Sequence, residues 1–373
     1  MNRIKIIDGF RTIAVLGVLW AHIWMFAGTP PGMIFGIDTA RLIGFFGTGV
    51  DLFFVISGFC MYLMYVSKQT NFSFSYYFTY LKKRWLRIAP AFYATIIFYG
   101  LFNVGFNIFL FDTGYALKHA LFIKNLFPDI TQYAPHFWSL CTEWHFYLLL
   151  PVIVYGIHHF SFYKTIIVLV ICCLVFRFVI WVPNIDPFNI INYSIANRLI
   201  EFLAGIVAAR IYLDRRQEWI FKSVPGLIIG VAVAFSGRLL MSAGMQERAD
   251  MIGMISRMMN LPLLTTGYAL VIVNALQYKT HFSTLMENKI LTSIGKYSYS
   301  MYLWHWVVAE QLTRYCTKQW TFSPFLQVNL IFLLSVAILY PVSIVSYKLF
   351  ESFYFNRRKQ GMVQKVELAK GMS

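Results

Sequence analysis

The chain has 373 residues, of which 58% are hydrophobic and 13% charged, where an ordinary soluble domain carries roughly 25% charged residues. That leaves too little polar surface for a soluble enzyme of this length. It also excludes a disordered chain, a collagen-like fibre and, with five Cys, a disulfide scaffold. A net charge of +16 would point to nucleic acid in a soluble protein; here the class that remains is a polytopic membrane protein.

Apolar stretches long enough to cross a bilayer, which takes about 20 residues, recur along the whole chain. They fall at roughly 9–27, 44–67, 88–111, 138–157, 165–182, 196–213, 224–243, 253–277, 290–312 and 324–349. Each is continuously apolar, whereas the strands of an outer-membrane barrel alternate over about ten residues. The expected fold is therefore all-α, a bundle of about ten transmembrane helices. Arg11 and His22 interrupt the first stretch and no small-residue cleavage site follows it, so it reads as a retained helix and not a signal peptide. The fourth to sixth stretches carry polar interruptions. Between the third and fourth, residues 112–137 place Leu117, Ala120, Leu121 and Ile123 at helix-compatible spacing beside Lys118 and Lys124, as in a segment that lies on the membrane surface or lids a site.

An even number of crossings puts both termini on one side. The N-terminus, the loops on that side and the tail hold Arg3, Lys5, Arg11, Lys82, Lys83, Arg84, Arg87, Arg215, Arg216 and the Arg357-Arg358-Lys359 run. The opposite loops hold six basic residues, Arg41, Lys118, Lys124, Arg248, Arg314 and Lys318. By the positive-inside rule both termini are cytoplasmic. The charge is then a topology signal and an attraction to anionic lipid, with no nucleic-acid partner. Residues 1–355 read as the membrane domain and 356–373 as a basic cytoplasmic tail. Asn71-Phe72-Ser73 matches a glycosylation acceptor but falls in a predicted cytoplasmic loop and is discounted. Four Cys fall in spans and Cys316 in an outer loop, so no disulfide framework is expected.

Ionisable side chains inside a bilayer cost about 2.5–3.5 kcal/mol each on insertion scales and mark function by default. Arg11 and His22 lie eleven residues apart, within about 20° of three full turns, so they share one helix face with about 16 Å of rise between them. Asp51, seven residues into the second stretch, lies about 10 Å below its outer start, and Glu143 on the fourth about 8 Å down. His305 on the ninth reaches a similar level from the cytoplasmic side. A neutral His beside a carboxylate can take a proton from a hydroxyl while the carboxylate orients it, and Asp51 and Glu143 are both candidates for that second role. No G-x-S-x-G nucleophile motif is present, so direct transfer to a hydroxyl is the simpler chemistry.

Arg84 and Arg87, three residues apart in Lys82-Lys83-Arg84-Trp85-Leu86-Arg87, share a face if helical. With Arg11 they would form a positive pocket suited to phosphates. A donor held there could extend an arm along the first helix to His22, and coenzyme A has that shape. Arg177, Arg198, Glu201, Arg238 and Arg257 read as ion pairs within the bundle. His136, His145, His158 and His159 have no metal-site spacing, so no metal is expected.

Several of these residues lie in longer stretches that resemble the membrane acyltransferase family 3. They are Asp8-Gly9-Phe10-Arg11 through His22, Gly49-Val50-Asp51-Leu52-Phe53-Phe54-Val55-Ile56-Ser57-Gly58-Phe59, and Arg84-Trp85-Leu86-Arg87-Ile88-Ala89-Pro90. Phe137-Trp138-Ser139-Leu140 with Glu143, and Tyr297-Ser298-Tyr299-Ser300-Met301-Tyr302-Leu303-Trp304-His305, follow in the family's order. The resemblance implies a ten-helix bacterial inner-membrane protein that moves an acyl group, usually acetyl, from cytoplasmic acyl-CoA to a hydroxyl of an extracytoplasmic glycan such as lipopolysaccharide O-antigen. It implies acetyl-CoA as donor on Arg11, Arg84 and Arg87, with His22, Asp51 and Glu143 as catalytic residues. Trp138, His305 and Glu351 would meet substrate. Glu351 matches a family Glu, but Ser352-Phe353 replaces the residues that usually follow, and Trp144-His145 departs from the acidic or Gln residues usual after Glu143. No esterase-like domain is visible, so transfer is direct or uses a separate extracytoplasmic partner. The rivals are a proton-coupled transporter, a scaffold subunit of polysaccharide export, and succinyl in place of acetyl transfer.

Overall fold

The computed structural model describes residues 4–34, 37–66, 74–103, 112–127, 134–180, 191–214, 218–241 and 250–352. The basic tail and the Asn71-Phe72-Ser73 acceptor lie outside them. The chain runs through α1 (Lys5–Phe26), a two-residue antiparallel ladder of β1 (Met33–Ile34) with β2 (Ile37–Asp38), α2 (Thr39–Phe46), α3 (Gly49–Val66), α4 (Phe74–Asn103) and α5 (Thr113–Ala120). It continues through α6 (Trp138–Phe160), α7 (Phe162–Ile180), α8 (Ile195–Leu213), α9 (Val224–Leu240) and α10 (Met251–Gln277). The last elements are α11 (His281–Met286), α12 (Lys289–Lys296), α13 (Ser298–Gln319) and α14 (Pro324–Ser346), which runs on as a π-helical turn, Tyr347–Glu351.

The all-α bundle read from composition is the fold, and a helix occupies each of the ten apolar stretches. Seven of the helical segments are long and apolar enough to cross a membrane by length and composition. Of the others, α9 has 17 residues, while α8 carries Arg198, Glu201 and Arg210 and α13 carries Glu310, Arg314 and Lys318. The helix α7, mostly apolar apart from Lys164, Thr165 and Arg177, exposes Ile167, Val168, Ile171, Val175 and Phe178, and α14 exposes Leu326, Leu333, Leu334 and Val345. These are the surfaces that lipid, not water, would cover.

α1 is packed inside the bundle against α2, α3, α12, α13 and α14. It buries Ile7, Phe10, Ala14, Val15, Val18, Leu19 and Ile23 together with the polar Asp8 and Thr12, while Arg11 and His22 are only partly buried. Beside it, α3 and α8 are clasped at close range. A Cβ on Gly58 would fall 2.1 Å from the Phe202 carbonyl oxygen, and one on Gly205 would fall 2.0 Å from that of Val55. Only glycine lets two backbones approach so closely, which is how membrane helices pack where no hydrophobic force drives them together. Phe202 fills the space beside the crossing, stacked on Phe54 at 4.7 Å and Phe146 at 4.1 Å.

Four expectations change, the last of them in part. The third stretch starts fourteen residues earlier than hydropathy suggested, because α4 begins at Phe74; hydropathy marks where a helix enters lipid, not where it starts. The ninth is broken at Tyr297 into α12 and α13, with Gly295 of α12 pressed on the Asp8 carbonyl of α1. Cys316, expected in a loop, lies buried in α13. Residues 112–127 lie on the surface with one side only: Leu117, Leu121 and Leu126 are exposed, while the opposite side is inserted into the bundle. Tyr115, His119, Phe122, Lys124 and Asn125 are buried, Phe122 stacks between Phe92 at 4.8 Å and Trp144 at 5.2 Å, and Tyr93 donates to the Ala120 carbonyl at 2.9 Å. The segment is a wedge between α4 and α6.

Substituting Gly205 by Val forces α3 from α8 at a cost of about 1–3 kcal/mol. A thermal-aggregation scan in detergent will show a lowered midpoint for Gly205→Val, with the lipid-facing Val168→Ala unchanged.

Candidate active site

The site is built outward from α1. Along its one polar stripe, His22 is half-buried near the C-terminal end, where its Nδ1 lies 2.9 Å from Nε2 of His305 on α13. The other nitrogen of His305, Nδ1, lies 2.6 Å from the carbonyl oxygen of Tyr302. A carbonyl can only accept, so His305 Nδ1 carries the proton and donates it. Among the described residues no carboxylate is bonded to either ring, and an unpaired cation on the fully buried His305 would be costly. His305 is then neutral and its Nε2 is an acceptor, which requires Nδ1 of His22 to donate. Nε2 of His22 is left as a lone pair on the accessible side of the ring. The chain of two bonds fixes one tautomer of His22, which is the condition for a general base.

The rings are held by aromatic contacts. His22 meets the edge of Trp306 at 4.9 Å and lies 5.0 Å from His305. His136, in the short 3-10 turn Pro135–Phe137 before α6, sits 4.8 Å from His305 and stacks on Trp306 at 5.7 Å. It is buried, and neither of its ring nitrogens has a hydrogen-bond partner among the described residues. His136 belongs to this cluster on geometry. In the sequence it stood out only as one of several His without metal spacing; its place before Trp138 was the one available signal.

The single layer of His22, Asp51, Glu143 and His305 expected from helix depths divides into three networks. His22 and His305 form the first. In the second, Arg198 of α8 donates to Asp51 at 2.9 Å and to Glu201 at 3.0 Å, and its guanidinium lies 5.0 Å over the ring of Trp138. Trp138 in turn lies against Tyr193 at 4.6 Å, so it forms a wall of this charged cluster. In the third, Glu143 accepts from Ser57 at 2.8 Å and from Tyr147 at 2.5 Å. Neither carboxylate is bonded to His22, so the partner expected among Asp51 and Glu143 is replaced by His305. The reason is rotational. Six residues at about 100° set Ser57 about 120° around α3 from Asp51, so one helix addresses α8 with one face and α6 with another. Depth along an axis says nothing of that direction.

The basic group gathers on α3 as well. Arg11 Nη2 lies 3.8 Å from Cys60 Sγ and its Nη1 lies 3.4 Å from Asp8. Arg84 Nη2 lies 2.7 Å from Met64 Sδ. Cys60 and Met64 are four residues apart and share one face of α3, so the two guanidinium groups flank the same stripe. Arg87 lies within electrostatic reach of Glu351 and Tyr147. Glu351, buried at the end of the π-helical turn, accepts from Ser300 of α13. Arg177 is satisfied by Asn197 and Asn260, both at 2.5 Å, and Arg238 donates to the Gly44 carbonyl at 2.7 Å; these are ties within the bundle. Among the described residues, no His, Cys, Asp and Glu are grouped as a metal ion would need.

The described residues thus form a helical bundle with an imidazole pair near one end of α1 and guanidinium groups near the other. A family model described as an acyltransferase domain, Acyl_transf_3, matches residues 4–347, and the chain belongs to that family. Among curated relatives, the O-acetyltransferase OatA of Staphylococcus aureus is 26% identical over 329 residues, covering 83% of this chain and 51% of the relative. The peptidoglycan O-acetyltransferase OatA of Listeria monocytogenes is 23% identical over 336 residues, covering 82% of this chain and 49% of the relative. The chain thus spans about half the length of the curated relatives it matches. No solved structure matches it significantly.

Two outcomes are expected. In 15N-histidine NMR spectra His22 appears as the Nδ1–H tautomer, and His305→Ala releases it to a mixture. Arg198→Ala leaves Asp51 and Glu201 buried without their cation, which costs about 3–5 kcal/mol and appears as a sharply lowered unfolding midpoint in detergent.

Proposed function

We propose that this chain is an integral membrane O-acyltransferase that moves an acetyl group from cytoplasmic acetyl-CoA to a hydroxyl of an extracytoplasmic surface glycan. The observation that carries the reading is the directed chain from the Tyr302 carbonyl through His305 to His22. Residues 1–355 are the membrane domain in this reading, 356–373 a cytoplasmic tail, and the setting is a bacterial inner membrane with both termini cytoplasmic.

In this reading Arg11, Arg84 and Arg87 hold the nucleotide phosphates of the donor, and the pantetheine arm runs beside α1 to place its thioester near His22. Nε2 of His22 takes the proton of the acceptor hydroxyl as its oxygen bonds to the thioester carbonyl carbon. The tetrahedral intermediate collapses with cleavage of the C–S bond, and the leaving thiolate recovers the proton from His22. His305 steadies the transient imidazolium by accepting from its Nδ1–H. Asp51 acts through Arg198 on the Trp138 wall, and Glu143 through Ser57 and Tyr147; both are positioning residues rather than bonded partners of His22. Glu351 sets Arg87. The acceptor is lipopolysaccharide O-antigen or a similar lipid-linked glycan. Similarity to the peptidoglycan O-acetyltransferase of Listeria monocytogenes favours a second reading, in which the acceptor is peptidoglycan.

The test uses protein in nanodiscs with radiolabelled acetyl-CoA and, separately, O-antigen and peptidoglycan fragments. Glycan-dependent CoA release is expected, lost in His22→Ala and reduced about 10²–10⁴-fold in His305→Ala. Arg84→Ala raises the KM for acetyl-CoA. Full turnover in His22→Ala would sink the base assignment, and proton flux in proteoliposomes without acyl-CoA would return the chain to transport.

A further inference from the structure

Next to the imidazoles, the ends of α4 and α13 enclose a cleft of about 240 Å³. It is lined by the aromatic residues Tyr99, Phe102 and Trp306 and by the polar residues Asn103, Glu310, Gln311 and Arg314. Trp306, Glu310 and Arg314 recur every four residues, so they stand on one face of α13. Glu310 and Arg314 are paired at 2.6 Å. Asn103, Gln311 and Arg314 are exposed.

We propose that this cleft is a subsite for one pyranose ring of an acceptor glycan, with Trp306 as the platform between that ring and His22. The proposal rests on the O-acyltransferase reading for its role but not for its existence. Three observations point to a sugar. The space is below the roughly 300–1,000 Å³ of sites for drug-sized ligands and suits a single small ring. A pyranose presents an apolar C–H face, which packs on aromatic side chains, and a rim of hydroxyls that both donate and accept. The rim here supplies amides, a carboxylate and a guanidinium, which together match both capacities. Position is the third. Trp306 touches both His22 and His136 and also lines the cleft, while Arg11 lies about 16 Å from His22 along α1. A ring in the cleft therefore approaches the base from the end opposite the guanidinium cluster, and two substrates can meet at His22 without sharing a pocket.

The test is saturation-transfer NMR on the full chain in nanodiscs, with chitotetraose and isomaltotetraose as probes. Transfer to ring protons of at least one oligosaccharide is expected, reduced threefold or more in Gln311→Ala and in Arg314→Ala. Both side chains are exposed, so the variants should fold, and acetyl-CoA should titrate into them as into the wild type. Transfer that neither substitution diminishes overturns the subsite, as does a wild-type protein that binds neither oligosaccharide. Binding that depends on Gln311 and Arg314, in a protein that shows no acyl turnover with any glycan, overturns the O-acyltransferase reading and leaves the sugar subsite standing.

Discussion

A polar group in hydrocarbon has no water to turn to, so every ionisable side chain placed there must find its partner within the protein. The arrangement of this bundle follows from that constraint. Arg198 stands between two carboxylates, Glu143 takes two hydroxyl protons, Arg177 is held by two Asn side chains, and Glu351 is tied to Ser300. The imidazole pair is the exception in kind. It meets its requirement with a backbone carbonyl and a second imidazole, involves no counter-charge, and so leaves one nitrogen with nothing to do but accept a proton.

That difference separates structural from chemical polarity in a way a list of buried charges could not. Asp51 and Glu143 are the more conspicuous residues in the sequence, and each is consumed by bonds to its own neighbours. His305 is less conspicuous and sets the state of His22. On the proposed reading, the carboxylate of a familiar catalytic dyad is replaced by a neutral ring, which orients the base without bringing a second formal charge into the layer.

Much of the fold was legible because it is written in long-range composition. Each apolar stretch is helical in the described residues, though the second and ninth are each divided between two helices, since a bilayer admits few alternatives and length is a one-dimensional quantity. The shared face of Arg11 and His22 was legible for the same reason, being periodicity on one helix. What the sequence left open were relations between helices. The azimuth of Asp51 relative to Ser57 decides which network each joins, and it depends on how α3 is rotated against α6 and α8, which the glycine clasp at Gly58 and Gly205 fixes. His136 was obscured because its neighbours in space, His305 and Trp306, are about 170 residues away in the chain. The inserted side of residues 112–127 was not legible because the spacing of Leu117 and Leu121, which are exposed, describes only the outward side of the segment.

The uninterrupted course of α1 has a consequence for selectivity. From Arg11 to His22 the helix contains no proline, and it is gripped on most sides, so the separation between those two side chains is set by a rod that neither stretches nor folds. On the proposed reading the enzyme measures its donor with a ruler. Recognition of the head and delivery of the reactive end are coupled through a fixed length, and a donor whose arm is a few atoms too short can satisfy either end but not both.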